Sequence, residues 1–276
     1  MFNQDSGGIL SREWLETVLF KAGYWFVAIL MLLPLVVVVI SSFGQAETLV
    51  KFPPSDFGVS RYNAFIDSPT WVAAVANSLI TSTGTALLST FLGVTAALGM
   101  EGIKDRQSQI LMPIILLPLF LPPVVLGVVL LIYLDIFGIY QSYIGIIIAH
   151  SLWGTPLVFF IMQAVFSQFS WDVKEAAMDL HASPLRAFYE VVYPGIKNGL
   201  LAAVIISFIV SLQEFIMALF LSGPSTVTTP VVAWNKLRQA LDPAVSVMST
   251  IFIAGPLIAL IILTVVFGLD RVARNV

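Results

Sequence analysis

The chain has 276 residues, 58% of them hydrophobic and 11% charged, with a net charge of −3 and no cysteine. A soluble domain is about one-quarter charged and under half apolar, so the polar surface needed to cover a water-soluble globule is missing. The composition implies an all-α, polytopic integral membrane protein of one domain. It excludes disulfides, thiolate metal sites and thiol catalysis, and the lack of any basic cluster longer than a dipeptide argues against nucleic acid as a partner.

In chain order, residues 1–23 come first. Toward their end SREWLETVLFKAGY, residues 11–24, carries Trp14, Leu15, Val18, Leu19 and Ala22 as an apolar stripe, with Ser11 placed to cap. This predicts an amphipathic helix lying along the inner leaflet. Six apolar runs follow, near 24–43, 72–99, 110–134, 143–168, 199–221 and 246–268. Each is long enough for a ~30 Å hydrocarbon core, which takes about 20 residues. The first run is preceded by Asp5, Glu13 and Glu16 against Arg12 and Lys21, which is no positive n-region, so it reads as a retained helix. Residues 24–71 therefore hold the first span and an outer loop rich in Pro, Asp and aromatics, expected to be ordered.

Pro34, Pro156 and Pro256 lie inside spans and predict kinks, while Pro122-Pro123 predicts a third span split into two angled halves. Lysine and arginine set the orientation. Arg12, Lys21, Lys104, Arg106, Lys174, Arg186, Lys197, Arg271 and Arg274 fall on one side, and only Lys51, Arg61, Lys236 and Arg238 on the other. Both termini are expected in the cytoplasm, including the tail 269–276, with the chain in the cell membrane.

Residues 174–199, KEAAMDLHASPLRAFYEVVYPGIKNG, interrupt this apolar pattern with a polar, helix-forming insert. Asp172 with Glu175 gives a capping-box-like start. Ser183-Pro184 restarts the chain as N-cap and N1 of a second helix, expected to stop at Pro194-Gly195. Ala176 and Ala177 leave the first helix flat. Connections in bundles usually run ~2–8 residues, so this doubly punctuated insert reads as a docking element rather than a solvated loop.

These residues resemble the EAA loop of ABC importer permeases of the type I fold. Glu175, Ala176, Ala177 and Pro194 match in register, with Val192 and Tyr193 before the proline. The resemblance covers residues 72–268, the transmembrane type-1 domain. SLQEFIMALFLSGPSTVTTPVVAWNKLRQALDP is similar to the shorter permease subunit of spermidine/putrescine transporters.

The resemblance implies a transport subunit, not an enzyme, that binds no cofactor itself. The insert would be a coupling helix on a cytoplasmic ATPase present in two copies, where ATP and Mg act. Glu175 would make a charged contact there, with Asp172, Met178 and Leu180 packing along the cleft and Asp179 and His181 in the same segment. The other partners implied are membrane lipid, a second, unlike permease and an extracytoplasmic binding protein. His181 occupies the family's glycine position at the end of a short helix, and is expected in a left-handed conformation.

Glu214 lies inside the fifth span, where a charge costs about 2.5–3.5 kcal/mol and must face a cavity or a partner. It reads either as a carboxylate attracting a cationic solute or as a helix–helix tie to Gln213 or Ser211. With Ser211, Gln213 and Trp153 it forms the candidate path. His150 lines the same path or packs with its ring bonded to neighbouring backbone; Asn77 and Ser78 are expected to tie spans together. Segment 222–246, with Trp234, Lys236 and Arg238, reads as a partly inserted element or an exposed loop, and Asp135 as a helix-end residue. A stand-alone ion-coupled carrier would want an inverted repeat and several intramembrane acids, and neither is evident. No nucleophile–base or metal-ligand spacing supports a membrane enzyme.

Overall fold

Long apolar runs with no period-2 alternation fold as helices, because inside a bilayer only the helix satisfies its own backbone locally. The computed structural model describes residues 6–45, 52–103, 105–240 and 242–267. Its helices are α1 (Ser6–Ser42), α2 (Ser60–Ile66), α3 (Pro69–Glu101), α4 (Asp105–Phe120), α5 (Pro123–Ile136), α6 (Tyr143–Gln168), α7 (Asp172–Asp179), α8 (Pro184–Ala187), a π-helical turn (Phe188–Val192), α9 (Tyr193–Gln213), α10 (Ile216–Leu221), α11 (Thr229–Ala240) and α12 (Ala244–Phe267). The described residues hold no strand, only an isolated antiparallel bridge between Gly44 and Phe57. The Ser11 and Arg12 side chains, Lys51, Lys104 and the tail with Arg271 and Arg274 lie outside what is described.

Four described stretches are long and apolar enough to cross a membrane: Trp14–Ser42, Pro69–Glu101, Tyr143–Gln168 and Pro184–Gln213. A fifth is the bent pair Ile110–Phe120 and Pro123–Ile136, whose halves meet at 96°. That break falls at Pro122-Pro123, as the missing backbone donors require. Ala244–Ile258 is a shorter apolar stretch within α12. Helices α1, α6 and α12 run on through Pro34, Pro156 and Pro256.

Three boundaries differ from the sequence expectation. The amphipathic segment and the first span are one helix, Ser6–Ser42, so Ser11 is not at a helix start. The helix beginning at Pro184 does not stop at Pro194. It passes through the π turn, where Tyr193 N–H donates to the Phe188 carbonyl, and continues as α9. Proline removes one donor and crowds the carbonyl four residues back; widening the turn just before Pro194 accommodates both. The fifth apolar run, expected unbroken over 199–221, is interrupted at Glu214, whose backbone is extended at φ −67° and ψ 123°.

The chain divides into two compact units. In the first, residues 1–65 and 239–255, α1 is almost wholly exposed along its apolar window, 6% of which is buried. Its end is fastened to the following loop. Ser42 Oγ lies 2.7 Å from Tyr62 OH, Arg61 Nη1 donates to the Ser41 carbonyl at 2.6 Å, and the Gly58 amide donates to the Phe43 carbonyl at 2.7 Å. The described part of that loop is ordered, as its composition suggests.

The second unit, residues 66–238 and 256–276, is built on α3, α6 and α9 packed together. Small residues let these helices approach closely. A Cβ on Gly93 would lie 2.6 Å from Val158 Cγ1 and 2.9 Å from the Phe159 amide nitrogen. One apolar cluster, with Met100, Phe159, Met162, Phe166 and Ile196, fills the α7 end of the unit. A second, with Leu126, Leu134, Ile146, Met217 and Leu221, joins α5, α6 and α10 at the other.

Candidate functional site

Among the described residues of the second unit, three groups of polar side chains bear on the expected sites. The first is the insert. α7 has no buried residue, and Leu180 is 83% exposed with Met178, Asp172, Glu175, Ala176, Asp179 and His181 also facing out; Ala177 is half-buried. Exposed as it is, the helix is firmly rooted. Trp171 Nε1 donates to Glu101 Oε2 at 3.1 Å, its ring meets Phe169 at 5.2 Å and Phe166 at 5.8 Å, and Lys174 Nζ lies 5.5 Å over it. The indole thus ties the start of α7 to the ends of α3 and α6. Asp172 is the first helical residue rather than the cap, and the cap position, Trp171, makes no side-chain cap bond. In the second helix Ser183 Oγ accepts from the Arg186 amide at 3.3 Å with Pro184 at N1, as the sequence signals.

His181 has φ 69°, the left-handed conformation expected at the glycine position. Its amide donates to the Met178 carbonyl at 2.9 Å, and the Ala182 amide to the Ala177 carbonyl at 3.1 Å. This pair of bonds is a Schellman termination with histidine at C′. A side chain at positive φ costs on the order of 1 kcal/mol relative to glycine. His181→Gly is therefore expected to raise the stability of the purified protein by up to ~1 kcal/mol, whereas the β-branched His181→Val lowers it by ~1–3 kcal/mol. Thermal unfolding of the two variants checks both signs.

The second place is the break in the fifth apolar run. Glu214 Oε1 accepts from the Met217 amide at 2.9 Å and Oε2 from the Ala218 amide at 3.0 Å, so the carboxylate supplies the cap that Phe215, at the N-cap position of α10, cannot. His150 Nε2 faces Glu214 Oε2 at 3.3 Å, and its Nδ1 lies 2.8 Å from Ser211 Oγ. Glu214 is 8% exposed, His150 1% and Ser211 3%. The His150 ring therefore bonds through Nδ1 to a side chain of the next span, not to backbone, while its Nε2 stands at ion-pair distance from Glu214 without hydrogen-bond geometry. Of the four candidate path residues, Ser211 and Glu214 meet here. Gln213 has an exposed side chain, while Trp153 packs on the α5–α6–α10 cluster with its Nε1 buried.

The third place, which the sequence revealed only in part, is a clamp on segment 222–229. Asn77 Nδ2 donates to the Ser225 and Val227 carbonyls at 3.1 and 2.9 Å, and Tyr143 OH donates to Asn77 Oδ1 at 2.7 Å. Ser78 Oγ donates to Thr229 Oγ1 at 2.9 Å, and Thr226 Oγ1 to the Gln141 carbonyl at 3.2 Å. Asn77 ties its span to the start of α6 through Tyr143, as expected, and Asn77 and Ser78 together also hold a tucked-in turn. Thr226, Thr228 and Thr229 are buried, so this part of the segment is not an exposed loop. Farther on, the Trp234 ring meets Phe215 at a tilt of 52° with centroids 5.5 Å apart, and lies 5.9 Å under Arg238.

Comparison with known proteins places this architecture. The chain is 25% identical over 247 residues to the putrescine transport system permease protein PotI of Escherichia coli, covering 84% of this chain and 86% of that one. It is 20% identical over 229 residues to the spermidine/putrescine transport system permease protein PotC of Escherichia coli, covering 83% and 86%. It is also 25% identical over 254 residues to the trehalose transport system permease protein SugB of Mycobacterium tuberculosis, covering 88% and 93%. Among solved structures, a bacterial ABC transporter involved in the import of the acidic polysaccharide alginate shares the fold, with a TM-score of 0.67 at 16% identity over 95% of this chain and 96% of that one. The model of the binding-protein-dependent transport system inner membrane component family matches residues 89–274, well over half of the chain, and the chain belongs to that family.

Proposed function

We propose that this chain forms half of an alternating-access path in an ATP-driven importer of a small cationic solute of the polyamine class. It has six spans, α12 being the sixth, and both termini in the cytoplasm. A second, unlike permease completes the path, a binding protein delivers the solute from outside, and two ATPase copies bind ATP and Mg inside. Hydrolysis belongs to those partners. The alginate transporter in complex with its pentasaccharide-bound periplasmic protein is a precedent for such delivery.

The observation that carries this reading is α7, a helix with no buried residue, fixed at its base by Trp171. A short rigid rod standing on two spans transmits a partner's motion into the membrane. Asp172, Glu175, Ala176, Ala177, Met178, Asp179, Leu180 and His181 make its docking surface. Along the path, Gln213 presents an exposed side chain, Ser211 and Glu214 are buried, and Trp153 packs on the α5–α6–α10 cluster.

The polyamine class rests on the putrescine and spermidine/putrescine relatives. A sugar is the second reading, favoured by the trehalose relative at the same 25% identity as the putrescine one. Uptake of labelled putrescine, spermidine and trehalose by cells expressing the whole transporter separates them. Putrescine or spermidine accumulation above the deletion background is expected, and trehalose accumulation alone overturns the polyamine assignment.

A further inference from the structure

A buried carboxylate whose two oxygens each accept a backbone amide is badly placed to greet a solute and well placed to hold a backbone. Both oxygens of Glu214 accept from α10 amides, and the second also faces His150 on α6. The far end of α10 is fixed as well: Tyr140 OH donates to the Phe220 carbonyl at 3.3 Å, and the Gly223 amide donates to Thr226 Oγ1 at 2.9 Å. Between these ties Met217, Ala218 and Leu221 are buried, while Leu219 faces out.

The geometry points to Glu214 as a positioning residue: pinned by His150, its carboxylate caps α10 and sets where α9 ends. An unbroken helix over this stretch would form its own bonds from the Met217 and Ala218 amides to the carbonyls of Gln213 and Glu214. Here the carboxylate takes both amides instead, and the competition is decided in favour of the break. The ring of His150, itself held by Ser211, keeps the carboxylate aimed at α10 and ties the break to α6. The exposed residues on either side, Gln213 and Leu219, owe their presentation to this pin. The inference rests on the transport reading above only for its second readout.

The absence of cysteine makes a clean test available. Leu219→Cys is introduced as the sole thiol of this chain, and the assembled transporter in nanodiscs is labelled with a water-soluble maleimide, followed on this chain by mass spectrometry. Loss of a cap is typically worth about 1 kcal/mol and charge-assisted bonds more, so Glu214→Gln is expected to change the labelling rate about tenfold. His150→Gln should change it several-fold in the same direction, and the double variant no more than Glu214→Gln alone.

The second readout is uptake. Positioning predicts a fall in maximal rate with the KM for the binding protein–solute complex kept; solute attraction by the carboxylate predicts a raised KM with the maximal rate kept. A labelling rate within twofold of the parent, effects that multiply in the double variant, or a pure KM change each overturns the inference. Should Glu214→Gln fail to assemble, His150→Gln is judged by the same labelling and uptake criteria. Because labelling needs no solute, a wrong solute assignment leaves that readout intact.

Discussion

Gly93→Val is expected to remove the assembled protein from the membrane, the largest stability loss of any single change considered. Gly93 is buried where α3 meets α6, and even a first carbon there would stand 2.6 and 2.7 Å from two atoms of Val158 and 2.9 Å from the Phe159 amide nitrogen. The Val158 side chain is itself fully buried and has nowhere to turn, and the amide belongs to the backbone of α6. Either the helices separate along their main contact or the valine strains; overpacking of this kind costs about 1–3 kcal/mol and more where backbone must move. Gly99 on the same helix is the matched control, since nothing lies within 4 Å of a Cβ built there. Gly99→Ala is expected to be neutral or to stabilise by up to ~1 kcal/mol through helix propensity. Detergent-extracted yield and thermal unfolding, read side by side, check the pair.

Glu175→Arg combined with Leu180→Asp is expected to do the reverse: leave the fold alone and stop transport. Neither side chain is buried, and no bond of either supports the fold, so surface changes there should stay within about 0.5 kcal/mol of stability. On the proposed reading, Leu180, 83% exposed on a helix rooted by Trp171, is the apolar anchor that docks on the ATPase. Truncating such an anchor typically costs 2 kcal/mol or more at an interface, and reversing a facing charge adds to that. Uptake should fall at least about thirtyfold, with weakened retention of the ATPase on the purified permease and an unchanged melting temperature. A drop in melting temperature that accounts for the lost uptake would return α7 to a purely structural role.

Hydropathy located four long apolar stretches and the bent pair, because a span demands a long apolar run, while of the sixth expected run only the shorter stretch Ala244–Ile258 is found among the described residues. Paired prolines marked the sharp bend at Pro122-Pro123, where two donors are lost together. His181 was legible for the same kind of reason: a helix stop needs a left-handed residue, and a histidine in a glycine's place inherits its φ.

Pro194 was harder, because a single proline admits two answers, a stop or a widened turn, and the choice lies with packing at the buried Val192 and Ile196. The break at Glu214 left no punctuation at all. Its cause is a side chain reaching forward to amides three and four residues on, and a histidine some sixty positions back in the chain. Local propensity does not carry such a contact. The clamp on 222–229 was half visible in Asn77 and Ser78, but its carbonyl partners in a turn have no side-chain signature.

The most direct measurement is reconstitution of the complete assembly in proteoliposomes, with the binding protein outside and ATP enclosed or withheld. Uptake of solute that requires this chain, the ATPase and internal ATP, and that disappears with the α7 double variant, is the expected result. Uptake by this chain alone, driven by an ion gradient without ATPase, would contradict it.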